Sequence, residues 1–152
     1  MALDFEKYAS KGNEFVKLVA EDLVVPREKA GRIIRAVLHS LRNRISHEES
    51  FQLLAQLPMA IKGVYVDGWK FEMDFNRISH MDDFLDEVRR EDGGLAGYDL
   101  GNDTKAKIAV AAVFKAMHYF VSEGELNDII SVMPAELKTF IRKSIAGNET
   151  VL

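Results

Sequence analysis

An internal repeat constrains this chain more than any other feature. Shifted by 76 positions, the stretch from Lys29 to Lys62 falls without a gap on Lys105 to Lys138. Lys29, Ala30, Ala36, Val37, Ser46, Glu49, Pro58 and Lys62 then meet identical residues at Lys105, Ala106, Ala112, Val113, Ser122, Glu125, Pro134 and Lys138. Apolar positions agree as well: Leu38 with Phe114, Leu41 with Met117, Ile45 with Val121, Leu53 with Ile129, Leu57 with Met133 and Ile61 with Leu137. A gapless match of pattern at this spacing is the signature of a duplicated helical unit.

Each copy carries the same punctuation. Ser46-His47-Glu48-Glu49 and Ser122-Glu123-Gly124-Glu125 both fit a capping box, which starts a short helix after a long one. Pro58 and Pro134 end that short helix and suit the first turn of the next. The unit therefore reads as long helix, short helix, short helix. Ahead of it, Phe5, Tyr8, Phe15, Leu18, Val19 and Leu23 recur at helical spacing behind Asp4, a candidate N-cap, and Gly12 is a point where that helix could bend. In the second half the counterpart starts at Ser79 or later, with Met81, Phe84, Leu85 and Val88 on one face and Phe84 in the role of Phe15. Ser79 would cap it, with Asp82 at the third helical position. The glycine-rich GGLAGYDLGND, Gly93 to Asp103, reads as a loop with Asp103 as the next N-cap. The expected fold is all-α: about eight helices, as two similar four-helix repeats in one bundle-like domain. Repeat one covers 4–68, a linker 69–78 and repeat two 79–147.

KGVYVDGWKF, Lys62 to Phe71, competes with that reading, because Asp-Gly between Val64, Val66 and Trp69, Phe71 is a hairpin signal. The repeat decides against it. Gly63 to Asp67 falls opposite Thr139 to Lys143, where Leu137, Phe140, Ile141 and Ile145 keep helical spacing. Asp67-Gly68 is then a helix end, with Gly68 left-handed and Trp69 folding back on the last turn.

The two long helices differ in an informative way. On the first, Ile33, Ile34, Val37, Leu38, Leu41 and Ile45 share a face, while Arg32, Arg35, His39 and Arg42 cluster on another within about 80°. The positions matching that basic face hold Ile108, Ala111, Lys115 and His118, so the second long helix is apolar nearly all round. It should run through the middle of the fold or into a subunit interface.

LPMAIKGVYVDGW, Leu57 to Trp69, preceded by RAVLHSLRNRIS, resembles a bacterial family of two-repeat helical proteins known as domain of unknown function 2267. The resemblance runs from FEKYASKGNEF to the final helix, with Leu57-Pro58 through Gly68-Trp69 the most specific segment and a weaker echo from Met133-Pro134. It implies an all-α fold and a soluble bacterial protein, and it brings no reaction, cofactor or catalytic residue with it. A proline often follows the tryptophan in that pattern. Here Lys70-Phe71 stand instead, which leaves the linker's geometry open.

Composition narrows the function. The net charge is −4, so the overall field repels phosphate backbones and anionic lipid head groups, and neither nucleic acid nor membrane is an expected partner. With no cysteine the chain has no disulfide, thiolate ligand or thiol nucleophile, which suits a reducing compartment, and the cytoplasm is the expected location. MALDFEKY has neither a basic n-region nor an apolar h-region, so no secretion signal is expected. The longest apolar run, Ile108 to Val121, is shorter than the ~20 residues of a membrane span and contains Lys115 and His118.

Signatures of phosphate loops, dinucleotide sites, serine hydrolases and HExxH metalloproteases do not occur, and no cofactor is expected. The histidines, His39, His47, His80 and His118, lack the short spacing of a helical zinc site, so no metal is expected, and His118 reads as a core histidine. Two candidate surfaces remain. The basic face of Arg32, Arg35, His39 and Arg42 is either an ordinary solvated face or a grip for an anion or an acidic partner helix. Tyr65, Trp69, Phe71, Met73 and Phe75 either pack the linker on the core or form a contact surface. The expected function is non-enzymatic binding, chiefly protein–protein contact that includes self-association. The alternative is a small-ligand-binding protein or enzyme with a pocket between the repeats.

Overall fold

The computed structural model describes residues 3–70 and 81–150, and every regular element among them is helical. In chain order these are α1 Phe5–Leu23, α2 Arg27–Arg42, α3 His47–Leu54, α4 Met59–Val66, α5 Met81–Asp92, a 3-10 turn Gly93–Leu95, α6 Ala96–Asp99, α7 Asp103–Met117, α8 Glu123–Ser131 and α9 Ala135–Thr150. The all-α expectation holds. The helix starts keep the repeat's spacing: α2, α3 and α4 begin at Arg27, His47 and Met59, and α7, α8 and α9 at Asp103, Glu123 and Ala135, 76 residues later each time.

Local chemistry explains the starts. Ser46 Oγ accepts from the backbone N–H of Glu49 at 3.1 Å, and Ser122 Oγ from that of Glu125 at 3.3 Å, so the same donor is capped in α3 and α8. Asp4 caps α1 by accepting from the Lys7 N–H. Pro58 takes the N-cap position of α4, one residue ahead of the first turn, where its carbonyl accepts from Ile61 and Lys62.

No strand pairing crosses Asp67-Gly68. Helix α4 ends at Val66, Gly68 is left-handed at φ +68°, and the Trp69 N–H returns to the Val66 carbonyl at 3.1 Å. The position 76 residues beyond Gly68 is Ser144, which supplies no such stop, and α9 runs on to Thr150. The last helix is therefore long, where a short one was expected.

Three further expectations need correcting. Gly12 does not bend α1, which is continuous. Its missing side chain serves packing instead, since a Cβ there would lie 2.6 Å from the Ala60 Cβ of α4. The Gly93–Asp103 segment is no plain loop: it holds the 3-10 turn and α6, and the N-cap of α7 is Asn102, whose side chain accepts from the Lys105 N–H at 2.9 Å. Asp103 becomes the first helical residue. Finally, Leu23 ends α1 and Asp99 ends α6, 76 residues apart, so Phe84 falls opposite Tyr8 rather than Phe15. The proposed Ser79 cap lies outside the described residues.

Helix α7 buries Ala106, Ala109 to Phe114, Ala116 and Met117, and it packs against α1, α2, α5 and α9. The apolar periphery read from sequence thus places it centrally. Phe15 of α1, Phe84 and Leu85 of α5, and Leu137 and Ile141 of α9 are all fully buried in the same core. Among the described residues no helix is long and apolar enough to cross a membrane.

The Gly12–Ala60 contact is directly testable. Gly12→Ala adds about 1 kcal/mol of helix preference but forces α1 off α4, for a net loss of about 1–2 kcal/mol in urea unfolding. Adding Ala60→Gly to that variant should recover the loss, and an unchanged Gly12→Ala midpoint would contradict the close approach.

Candidate functional site

The basic face of α2 points into the structure. Arg32 donates both arms of its guanidinium to Asp99 of α6, Nε to Oδ2 at 2.8 Å and Nη2 to Oδ1 at 2.9 Å, and Asp99 is 1% exposed. Burial works against an ionised Asp99, but the hydrogen bonds from Arg32 and Asp92 outweigh it and hold its carboxyl below the usual range. The neighbouring Asp92 is left as the proton holder. Burial, then the facing Asp99, pushes its carboxyl up to about 7. Lys29 completes this junction, donating to the Tyr98 carbonyl and sitting 4.2 Å over the Tyr98 ring.

Farther along the same face, α2 holds the C-terminal end of α4. His39 Nε2 donates to the Val64 carbonyl at 2.7 Å, and Arg42 Nη1 donates to the carbonyls of Tyr65 at 2.8 Å and Asp67 at 2.7 Å. Carbonyls in a last helical turn lack partners within the helix and carry the negative end of its dipole, so a guanidinium there satisfies both needs. Burial lowers the His39 pKa, which keeps the imidazole neutral beside Glu91, 3.8 Å from Nδ1. Arg35 forms an exposed pair with Asp67 at 3.0 Å. All four basic side chains are thus committed to partners in this chain. Neither expected reading, a solvated face or a grip for an outside anion, describes this arrangement.

The aromatic candidates divide in the same way. Tyr65 is fully buried, its hydroxyl paired with Ser50 Oγ at 2.7 Å, and burial drives its phenol well above the ordinary value. Trp69 is half-buried, edge-on to Tyr65 at 5.7 Å and to His47 at 5.6 Å, with the Arg42 guanidinium 6.0 Å from its ring. These two residues pack the end of α4 onto the core and offer no flat outward surface. Phe71, Met73, Phe75 and His80 lie outside the described residues.

An opening appears elsewhere. Between α1 and α7 runs a groove of about 270 Å³ lined by Leu18, Glu21, Asp22, Ala112, Lys115, Ala116 and Tyr119. Lys115 Nζ bridges it to Asp22 Oδ1 at 3.0 Å, and Tyr119 stands 60% exposed at its edge. Lys115 occupies the position that His39 holds in the first copy, so the groove replaces the clasp made there. Sequence reading marked Lys115 only as a charge interrupting an apolar run. What could have signalled the groove is the pair Ala112 and Ala116, small residues one turn apart on a helix otherwise rich in larger ones.

A second feature was also missed. Glu49, Glu125 and Asp128 place carboxylate oxygens within 4.8 Å of one another where α3 meets α8. Burial, then Glu49, pushes the Glu125 carboxyl up to about 7. The signal was present in the repeat, since Glu49 and Glu125 are the same position in its two copies.

Two measurements check these assignments. Arg42→Met should cost about 3 kcal/mol in chemical denaturation, because two buried carbonyls lose a charged donor, whereas Arg35→Met, losing an exposed pair, should cost under about 1 kcal/mol. Equal losses would contradict the clasp. For Asp92, the folded carboxyl keeps its proton up to about 7 while an unfolded aspartate loses it near about 4. The folded state therefore holds the extra proton between those values. Its contribution to stability is whole below pH about 4 and is lost as pH rises to about 7. Asp92→Asn should remove that fall from a series of urea midpoints against pH, and an unchanged slope would refute the assignment.

Comparison with known sequences agrees with the fold. Residues 12–140 match the model of a family described as "Uncharacterized conserved protein (DUF2267)". No curated protein matches the chain at a significant level. Because the match takes in both copies of the repeat, from α1 into α9, the chain belongs to the DUF2267 family.

Proposed function

We propose that the chain is a non-enzymatic binding module that docks an amphipathic protein helix, in the first instance from a second copy of itself, in the α1–α7 groove. The observation that carries this reading is the groove's construction. Leu18, Ala112 and Ala116 supply an apolar floor, two alanines allow a close backbone approach, and Glu21, Asp22, Lys115 and Tyr119 supply a polar rim. Tyrosine at an exposed rim is a favoured contact residue, since its ring brings area at little entropic cost. The surface first sought around Tyr65 and Trp69 moves, in this reading, to the opposite side of the repeat.

The same reading takes the chain as one domain of two copies, 4–68 and 79–147, joined by 69–78, working in the bacterial cytoplasm. The negative net charge supports a protein partner over nucleic acid. A second reading, a small ligand held between the copies, is favoured by the groove's position between a first-half and a second-half helix and by its Lys115–Asp22 pair.

Light scattering over a wide concentration range should reveal a species larger than one subunit. Tyr119→Glu should weaken that association at least about tenfold, the expected scale for a central aromatic contact, without changing the helical circular dichroism. A strict monomer removes self-association. An association indifferent to Tyr119→Glu removes the groove.

A further inference from the structure

We propose that Glu49, Glu125 and Asp128 form a binding site for a hard divalent cation of the calcium type, clamping α3 of the first copy to α8 of the second. The three residues each offer one carboxylate oxygen, and the oxygens lie within 4.8 Å of one another. Oxygens on one coordination sphere cannot be farther apart than its diameter, roughly 4.6–5.2 Å for calcium and roughly 4.0–4.2 Å for magnesium. The spread fits the larger ion, and an all-carboxylate donor set is the chemistry that hard cations select.

The arrangement of Glu125 adds an independent argument. At the third position of α8, a glutamate would ordinarily turn back to the backbone N–H of its capping serine. Here the Ser122 N–H is taken by Gln56 Oε1 of the first copy at 2.6 Å. The Glu125 side chain turns instead toward Glu49 across the α3–α8 contact. Glu125 is only 8% exposed, and its Oε1 is buried with no hydrogen-bond partner, as is the Oε1 of Glu49. Every charged group that acts on Glu125, Glu49 and Asp128 alike, is another acid. A buried acceptor pair with neither a donor nor a base is costly unless a cation or a proton fills the gap. The exposed Asp128 provides a side open to solvent, through which an ion can enter and keep its remaining waters.

Contrast with the other acid pair sharpens the assignment. Asp92 and Asp99 also face each other, but Arg32 grips Asp99 with two hydrogen bonds, so that pair already has its cation. The Glu49–Glu125 pair has none. This site is separate from the α1–α7 groove, and its test is independent of the proposed docking.

The full chain, stripped with a chelator, should bind Ca²⁺ at one site per chain in isothermal titration, and more tightly than Mg²⁺. At ten times its dissociation constant, Ca²⁺ should raise Tm by roughly 3–6 °C. Glu125→Gln and the exposed Asp128→Asn should each weaken binding at least about tenfold while keeping the helical circular dichroism. In chelator, Glu125→Gln should be no less stable than wild type, because it removes one of two facing acids. Absence of both heat and Tm shift up to about 10 mM Ca²⁺ overturns the site, since the weakest protein calcium sites lie near about 1 mM. Wild-type affinity in Asp128→Asn, or tighter binding of Mg²⁺, overturns it equally. Should Glu125→Gln fail to fold, Asp128→Asn alone decides.

Discussion

A helix that is apolar on every side has to be covered on every side, and α7 imposes that requirement on the whole chain. Water cannot solvate the ring formed by Val110, Val113, Phe114 and Met117, so α1, α2, α5 and α9 close around it. The arrangement of the other helices follows from meeting that demand. Where α1 covers α7 incompletely, at Ala112, Lys115 and Ala116, the groove opens. The site favoured for docking is thus the place where the central constraint is least well met.

The two long helices show how one pattern supports two solutions. On α2, the face that carries Arg32, His39 and Arg42 is roofed by polar groups: the Asp99 carboxylate and the last carbonyls of α4. On α7, the matching positions are mostly apolar, and apolar neighbours roof them. Burying charge in the first case is tolerable because each donor meets a carboxylate or carbonyl, and a removed partner would strand the other. That exchange of polar for apolar lining separates the copies more than any difference in helix length.

Acidic residues complete the picture. Three arrangements occur within one small fold: an aspartate held ionised by a guanidinium, a facing aspartate holding a proton, and a glutamate pair with neither remedy. The last meets at the contact between α3 and α8, where the two copies present the same residue to each other. A repeat that brings its ends together necessarily brings like charges together, and something other than a side chain must then balance them.

Much of the fold was legible in the linear chain because helices are written in short-range signals. The 76-residue spacing, the serine caps and the Asp67-Gly68 stop each act over a few residues, so they located α2 to α4 and α7 to α9 and removed the hairpin. Phe84 was misaligned with Phe15 because the 3-10 turn and α6 continue the register through a segment that glycine made look like a loop. The roles of side chains were far less legible. Periodicity places Arg42 and Tyr65 on a helix face, but whether that face meets water, a carbonyl or a partner depends on which helix arrives from elsewhere in the chain. By itself the sequence determined an all-helical, duplicated chain with one helix too apolar to lie at the surface. Only the tertiary structure turned the basic face inward, opened the groove between α1 and α7 and set Glu49 against Glu125, since each of these depends on contacts between residues far apart along the chain.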